Sequence, residues 1–182
     1  AVGTRVFATS YVKEKAVWEI DPATGSNHLV FEAGDLPPDV ADVDGLRLVG
    51  ARATTDGGEV YLVDLLGAKP RTIVCAVDKP GTRLRYVRTL AIRPFGLAWL
   101  PDGQCVGAFD KTLDVVDTSS GARTTLVGTG LSAPGYVLAD SAGRLYVADQ
   151  GATEVHRFMP EGQLPWHYLR LAEPASHQIK VF

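Results

Sequence analysis

The sequence has few features of metal-binding or membrane-spanning proteins. Its only cysteines are Cys75 and Cys105, and two thiols without a nearby histidine in the sequence do not make a metal site. We expect buried free thiols, because cysteine packs like a small hydrophobic residue. The alternative, a disulfide between neighbouring repeats, would favour an oxidising extracellular or periplasmic compartment. No apolar run approaches the roughly 18–20 residues that span a bilayer, so we expect a soluble chain.

Clustered positive charge is also missing. The formal net charge is −3, and no run of lysine and arginine could follow a phosphate backbone, which argues against a nucleic-acid partner. The densest basic stretch, residues 83–93, holds four arginines among apolar residues. Such alternation is typical of a half-buried strand with one wet face.

Helical periodicity is nearly absent, since glycine or proline interrupts every apolar face with helical spacing. With 182 residues, 46% of them hydrophobic, the chain is long enough for one domain with a real core. The sequence therefore predicts an all-β domain.

A repeated unit provides the main signal. Three proline-led segments, 38–45, 94–103 and 134–143, each read as an alternating strand that runs into a glycine turn. A second strand follows each turn. Third strands end in turns closed by four glycines: Gly25, Gly67, Gly121 and Gly162. Glycine accepts the positive φ of a tight reversal, while Asp, Ser and Thr side chains bond the turn backbone.

The spacing of the repeats predicts a propeller. Pro94, Pro134 and Pro174 follow one another at equal intervals, and an interval of roughly 40 residues suits blades of four short strands. We expect about four blades in a single domain. Their predicted ranges are 1–36 with 174–182, 37–93, 94–133 and 134–173. The longer second interval predicts an inserted segment at 70–80.

The ends of the chain suggest how such a ring could close. The last residues, 179–182, alternate like a first strand, so we hypothesise that they pair with the strand at 5–9 and complete the opening blade. Four blades are the low end for propellers. The alternative is an arc of a larger propeller, completed by a second chain or by further residues.

The fourth repeat resembles the NHL-repeat family. In the sequence YVLADSAGRLYVADQGATEVHRFMPEG, the residues that match its pattern are Gly143, Leu145, Tyr146, Val147, Ala148, Asp149, Val155 and Phe158. Residues 5–25 are similar to the related lactonase-like and streptogramin-lyase-like propellers. The resemblance implies a propeller fold. It also implies a choice between protein-interaction scaffolds and metal-dependent lactonases or lyases.

Residues for catalysis or metal binding are sparse. By repeat alignment, the positions equivalent to Asp149 are Ser10, Arg52 and Phe109, which do not form the ring of ligands that a divalent metal needs. We expect Asp149 to bond neighbouring backbone N–H groups. Asp42 is expected in a solvated loop, and His177 could face the channel mouth. The sequence thus predicts no catalytic residues and no metal or other cofactor.

These observations favour a non-catalytic binding or assembly module, a scaffold for a protein partner or another propeller chain. Candidate surfaces are the segment at 70–80 and the aromatic cluster Trp166, His167 and Tyr168 on an outer strand, since insertions on repeat scaffolds often carry binding. The alternative is a small lactonase or lyase in which Asp149, Asp42 and His177 hold calcium or zinc.

Overall fold

A computed structural model describes residues 6–10, 14–67, 69, 71–77 and 82–158, and the backbone of 167–170. These residues form four antiparallel sheets and contain no α-helix. The strands are β1 (Val6–Ser10), β2 (Ala16–Ile20) and β3 (Asn27–Glu32) in the first sheet; β4 (Gly45–Ala53), β5 (Glu59–Leu66), β6 (Arg71–Val77) and β7 (Arg85–Leu90) in the second; β8 (Gly96–Trp99), β9 (Cys105–Phe109), β10 (Thr112–Val116) and β11 (Arg123–Val127) in the third; β12 (Pro134–Ala139), β13 (Leu145–Asp149), β14 (Glu154–Phe158) and β15 (His167–Arg170) in the fourth.

The sheets are arranged as the blades of a propeller. Within each sheet the strands follow chain order and pair with their sequence neighbours. Edge strands lie side by side from sheet to sheet, β1 against β4, β4 against β8 and β8 against β12. The predicted fold class, an all-β propeller of about four blades, is confirmed. Closure is not shown, because residues 5 and 179–182 lie outside the described part of the chain.

The second and third sheets each lie between two other sheets. Successive residues of their strands point to opposite neighbouring sheets, as the two-residue period of a strand requires. In β9, Cys105 and Phe109 pack toward the second sheet, while Val106 and Ala108 pack toward the fourth. All five residues of β9 are buried. A sheet covered on both faces needs such a continuous apolar run. The core therefore consists of three layers between four sheets.

Two of the predicted glycine turns have the expected geometry. Gly25 and Gly121 adopt φ values of 72° and 79°. Their N–H groups donate to the carbonyls of Asp21 and Asp117, at 2.8 and 2.7 Å. Hydrogen bonds from Ser119 and Ser120 lower the pKa of Asp117 to about 2. The turn at Gly162 lies outside the described residues.

The strand assignment in the second sheet needs correction. Residues 38–40 form a turn, and 41–43 are irregular, so the predicted first strand at 38–45 is wrong. The sequence pattern predicts a second strand at 46–51 and a third strand at 60–64, but these residues belong to the first strand β4 and the second strand β5. The proposed insertion at 70–80 contains the third strand, β6. Two prolines at 37 and 38 supply no N–H donor for a ladder, which explains the irregular start.

The cysteines occupy separate parts of the core. Cys75 lies in β6 and Cys105 in β9, and both are buried and free, so the disulfide alternative is wrong. Burial raises the pKa of each thiol to about 12. No helix in the described part of the chain has the length and apolar character needed to cross a membrane.

Candidate functional site

A groove of about 350 Å³ opens near the beginning of β4, β8 and β12, which are the first strands of the second, third and fourth sheets and are called inner strands below. Residues from three sheets line it, because β4, β8 and β12 start at the same end of the propeller. Its side chains include Arg47 of β4, Phe95 before β8, Asp110 and Lys111 between β9 and β10, Tyr136 of β12 and Gln150 after β13. This volume is at the lower end of the usual range for binding pockets, about 300–1,000 Å³.

Arg47 is fixed by a buried carboxylate behind the groove. Its Nη2 donates to Oδ2 of Asp64 and to the carbonyl of Pro94, the latter at 3.0 Å. Thr72 Oγ1 donates to Asp64 Oδ1 at 2.7 Å. Burial raises the pKa of Asp64, while the hydrogen bonds from Arg47 and Thr72 act in the opposite direction. The network thus joins the second sheet to the start of the third.

Asp149 holds the loop that forms the opposite wall. Its carboxylate accepts the backbone N–H groups of Ser132 and Ala133, both at 2.7 Å, and that of Gly151 at 3.2 Å. Burial alone would raise its pKa. The backbone N–H groups of Ser132 and Ala133, together with the charge of His156 and the backbone of Ala152, outweigh burial, so the pKa of Asp149 lies below its usual value. Nε2 of His156 lies 3.4 Å from Asp149 Oδ2. Asp149 therefore positions the groove wall.

The backbones of β8 and β12 approach each other closely beside the groove. A Cβ on Gly96 would lie 2.7 Å from the carbonyl oxygen of Gly135 and 3.0 Å from Cα of Tyr136. Such contacts with main-chain atoms leave no room for a side chain. The absence of a side chain at Gly96 thus lets β8 and β12 meet beside the groove.

Two large aromatic side chains are exposed at the groove. Phe95 is 47% exposed and Tyr136 is 64% exposed. Arg47 and Lys111 line the same groove, and Lys111 follows Asp110, which has a φ of 35°, in the turn between β9 and β10. Aromatic groups left in water next to cationic ones are typical of binding surfaces, where both contribute strongly.

Among the predicted site residues, only the side chains of Asp42 and Asp149 are described, and neither lines this groove. Asp42 is exposed on the loop before β4. Asp149 lies behind the loop at 132–133, with its oxygens bonded to backbone donors. The backbones of His167 and Tyr168 pair with Arg157 and His156 of β14. Trp166 and His177 lie outside the described residues.

The repeat alignment of Asp149 also changes in the second sheet. The last residue of β13 is Asp149, and it pairs with the first residue of β12. The corresponding residue at the end of β5 is Leu66, which pairs with Gly45. The predicted equivalence with Arg52 is therefore wrong, because Arg52 lies in the first strand. Among the described residues, no three His, Cys, Asp or Glu side chains are grouped to hold a metal ion.

Sequence reasoning missed Phe95, Tyr136, Lys111 and Arg47. A usable signal was present for two of them, because Phe95 and Tyr136 directly follow the strand-leading segments Pro94 and Pro134-Gly135. An aromatic residue at the start of two successive inner strands indicates a shared surface at the channel mouth. Arg47 was missed because the repeat alignment took the first strand of the second sheet, β4, for a second strand.

The arrangement of the four sheets and the order of their strands define a β-propeller fold. Solved structures similar to this chain include a chain of a nidogen–laminin complex, with 16% identity and a TM-score of 0.57. A gluconolactonase from Xanthomonas campestris has 22% identity and a TM-score of 0.54. A regucalcin, a calcium-binding protein from Agrobacterium tumefaciens, has 17% identity and a TM-score of 0.53.

These similarities cover most of this chain but only part of each neighbour. They include 86% of this chain and 56% of the matched chain in the nidogen–laminin complex. For the gluconolactonase and the regucalcin they include 90% of this chain, and 58% and 56% of those chains. The chain thus spans little more than half the length of these propellers. No protein-family model and no curated protein sequence matches it. At such identities the likeness concerns the fold.

Proposed function

We propose that the chain is a non-catalytic binding module that holds a segment of a protein partner in the groove at the start of its inner strands. The observation that carries this proposal is the exposure of Phe95 and Tyr136 beside Arg47 and Lys111. Large aromatic residues in water are costly unless a partner covers them, and they dominate binding energy where one does.

The groove chemistry suggests the kind of segment it would take. Phe95 and Tyr136 offer apolar faces for one aromatic or aliphatic side chain, and about 350 Å³ is enough for such an anchor. Lys111 lines the groove and is exposed, whereas the charge of Arg47 is balanced by Asp64. An acidic residue next to the apolar anchor would therefore find Lys111 rather than Arg47.

The partner surface differs from the one expected at residues 70–80. Most of β6 is buried between its neighbours, so it cannot act as a free binding segment. The proposal therefore places the partner-binding surface in the groove. Solved neighbours of the same fold include an assembly with laminin as well as a gluconolactonase, so the fold is compatible with binding.

The alternative, a metal-dependent lactonase or lyase, depended on Asp149, Asp42 and His177. Asp149 accepts three backbone N–H groups, which leaves its carboxylate committed to the loop. Asp42 lies on a loop before the second sheet. Nothing among the described contacts favours this interpretation, but elemental analysis of the purified protein tests it directly. Stoichiometric calcium or zinc would contradict the non-catalytic proposal.

A peptide library displayed on phage tests groove binding without a known partner. Peptides selected on the wild-type protein should bind Phe95→Ala and Lys111→Ala about tenfold more weakly, a loss of about 1.4 kcal/mol. Leu126→Ala is the matched control, since Leu126 is 50% exposed on β11, away from the groove. Selected peptides with equal affinity for Phe95→Ala and wild type would refute the proposal.

A further inference from the structure

The turn between β9 and β10 consists of two residues, Asp110 and Lys111, and both line the groove. β8 pairs with β9 so that Gly96 lies opposite Ala108, and the N–H group of Phe95 donates to the carbonyl of Ala108 at 2.8 Å. This pairing places the turn at the end of the third sheet where β8 begins. It thus brings two opposite charges to the groove that Phe95 also lines.

Aspartates at the other turns of the propeller serve the fold. Five of them accept the backbone N–H group two residues further along the chain: Asp21, Asp56, Asp102, Asp117 and Asp140. Bonds of this kind are the usual reason why aspartate occurs in turns. A carboxylate that is bonded to its own turn has less capacity left for a ligand.

Asp110 differs from these five residues. Its backbone has a φ of 35°, in the left-handed region that favours glycine, where aspartate is tolerated because its short side chain can bond locally. The Asp110 carboxylate is exposed and has no hydrogen-bond or ion-pair partner in the part of the chain that the structure describes. An uncommon backbone conformation that presents an unused charged group at a groove points to a role in function.

The ammonium group of Lys111 is also available. Lys111 is exposed and has no ion-pair partner among the described residues, so it does not pair with the adjacent Asp110. Arg47 is different, because Asp64 balances its charge. The groove therefore offers one free carboxylate and one free ammonium group, in addition to the apolar face of Phe95.

These two charges impose a condition on a bound segment. An acidic residue of the segment is attracted by Lys111, but it also approaches the carboxylate of Asp110. Like charges that are brought together without a counter-charge oppose binding and reject the wrong partner. A segment that carries a basic residue as well as an acidic one satisfies both groups.

We propose that Asp110 sets the charge specificity of the groove by binding a lysine or arginine side chain of the partner segment. This inference rests on the proposed function and names the segment more closely. The preferred segment carries an apolar anchor for Phe95, an acidic residue for Lys111 and a basic residue for Asp110. Segments with acidic residues alone are disfavoured.

Phage selection on the wild type and on Asp110→Asn tests the proposal. Peptides selected on the wild type should contain lysine or arginine more often than the unselected library, and peptides selected on Asp110→Asn should not. Asparagine tolerates the same backbone region, so thermal melts should show an equally folded protein. Asp102→Asn is the matched control. It removes a turn carboxylate that does not line the groove, so its selected peptides should keep the basic residue.

A double-mutant cycle then measures the pair directly. Replacing the basic residue of a selected peptide by glutamine should weaken binding to the wild type about threefold, as for an exposed ion pair. The same replacement should not weaken binding to Asp110→Asn. Equal weakening in both proteins, or no enrichment of basic residues on the wild type, would overturn the inference. The proposed function would survive that result as long as binding still depends on Phe95, and would fail with equal binding to Phe95→Ala.

Discussion

Arg47 and Asp64 form an ion pair across β4 and β5, with the Asp64 side chain completely shielded from solvent and Arg47 26% exposed. The same guanidinium reaches the carbonyl of Pro94 at 3.0 Å, immediately before β8. A surface pair contributes little to stability, but one with a buried member is different. Removing a partner leaves the other charge without compensation. Arg47 therefore supports both a blade junction and the groove.

Replacing Asp64 should destabilise the protein strongly. We expect Asp64→Ala to lower the free energy of unfolding by about 3 kcal/mol, because Arg47 and Thr72 lose their shared acceptor. Urea denaturation measures the change. The double variant Arg47→Met with Asp64→Leu is the control and should lose less, since it leaves no unpaired charge. A loss below about 1 kcal/mol in Asp64→Ala would contradict the expected role of the pair.

Asp149 should make the fourth sheet sensitive to acid. Its folded-state pKa lies below the ordinary value of 3.8, so its stabilising contribution is present above about pH 4 and is lost as the pH falls through the lower folded-state pKa. Asp149→Asn should cost about 1–3 kcal/mol at neutral pH, because an amide cannot accept all of the N–H groups of the loop.

Urea denaturation at neutral and acidic pH separates this effect from other carboxylates. The difference in stability between wild type and Asp149→Asn should shrink below about pH 4. The exposed turn residues Asp21 and Asp117 also have a lowered pKa, but they are shared by both proteins. A difference that stays constant with pH would show that the charge of Asp149 is not what holds the loop.

Gly96 should not tolerate a methyl group. Gly96→Ala is expected to cost about 1–3 kcal/mol, as overpacking does, since its Cβ would lie 2.7 Å from a main-chain oxygen. Gly128→Ala is a suitable control because its nearest contact, Thr125 Cγ2 at 3.5 Å, is ordinary. Thermal melts of the two variants provide the comparison. Equal melting temperatures would mean that β8 and β12 separate easily.

The thiols of Cys75 and Cys105 should be unreactive in the folded protein. Burial raises the pKa of Cys75 and of Cys105 to about 12, and only the thiolate attacks a disulfide reagent. We expect no rapid reaction with Ellman's reagent at pH 8 and release of two equivalents after denaturation, which absorbance reports. Rapid reaction of either thiol without denaturant would show that its sheet opens readily.

The strand order of the third and fourth sheets was predictable because a glycine marks the turn between the first and second strand of each. Gly103 and Gly143 close the turns between first and second strands, with φ values of 91° and 76°. The second sheet has an equivalent marker in Gly57, with a φ of 83°. It was overlooked because Gly67 resembled a third-strand turn, and the strands around both are buried and apolar, without alternation to set their order.

The sequence alone determined that this chain is an all-β repeat protein. Its glycine turns, two-residue alternation and evenly spaced prolines follow from local backbone geometry, which neighbouring residues control. Only the tertiary structure decided which residues share a surface. Arg47, Phe95 and Tyr136 line one groove because three sheets begin at one end of the propeller. Such relationships depend on packing between sheets, which the spacing of residues along a chain does not encode.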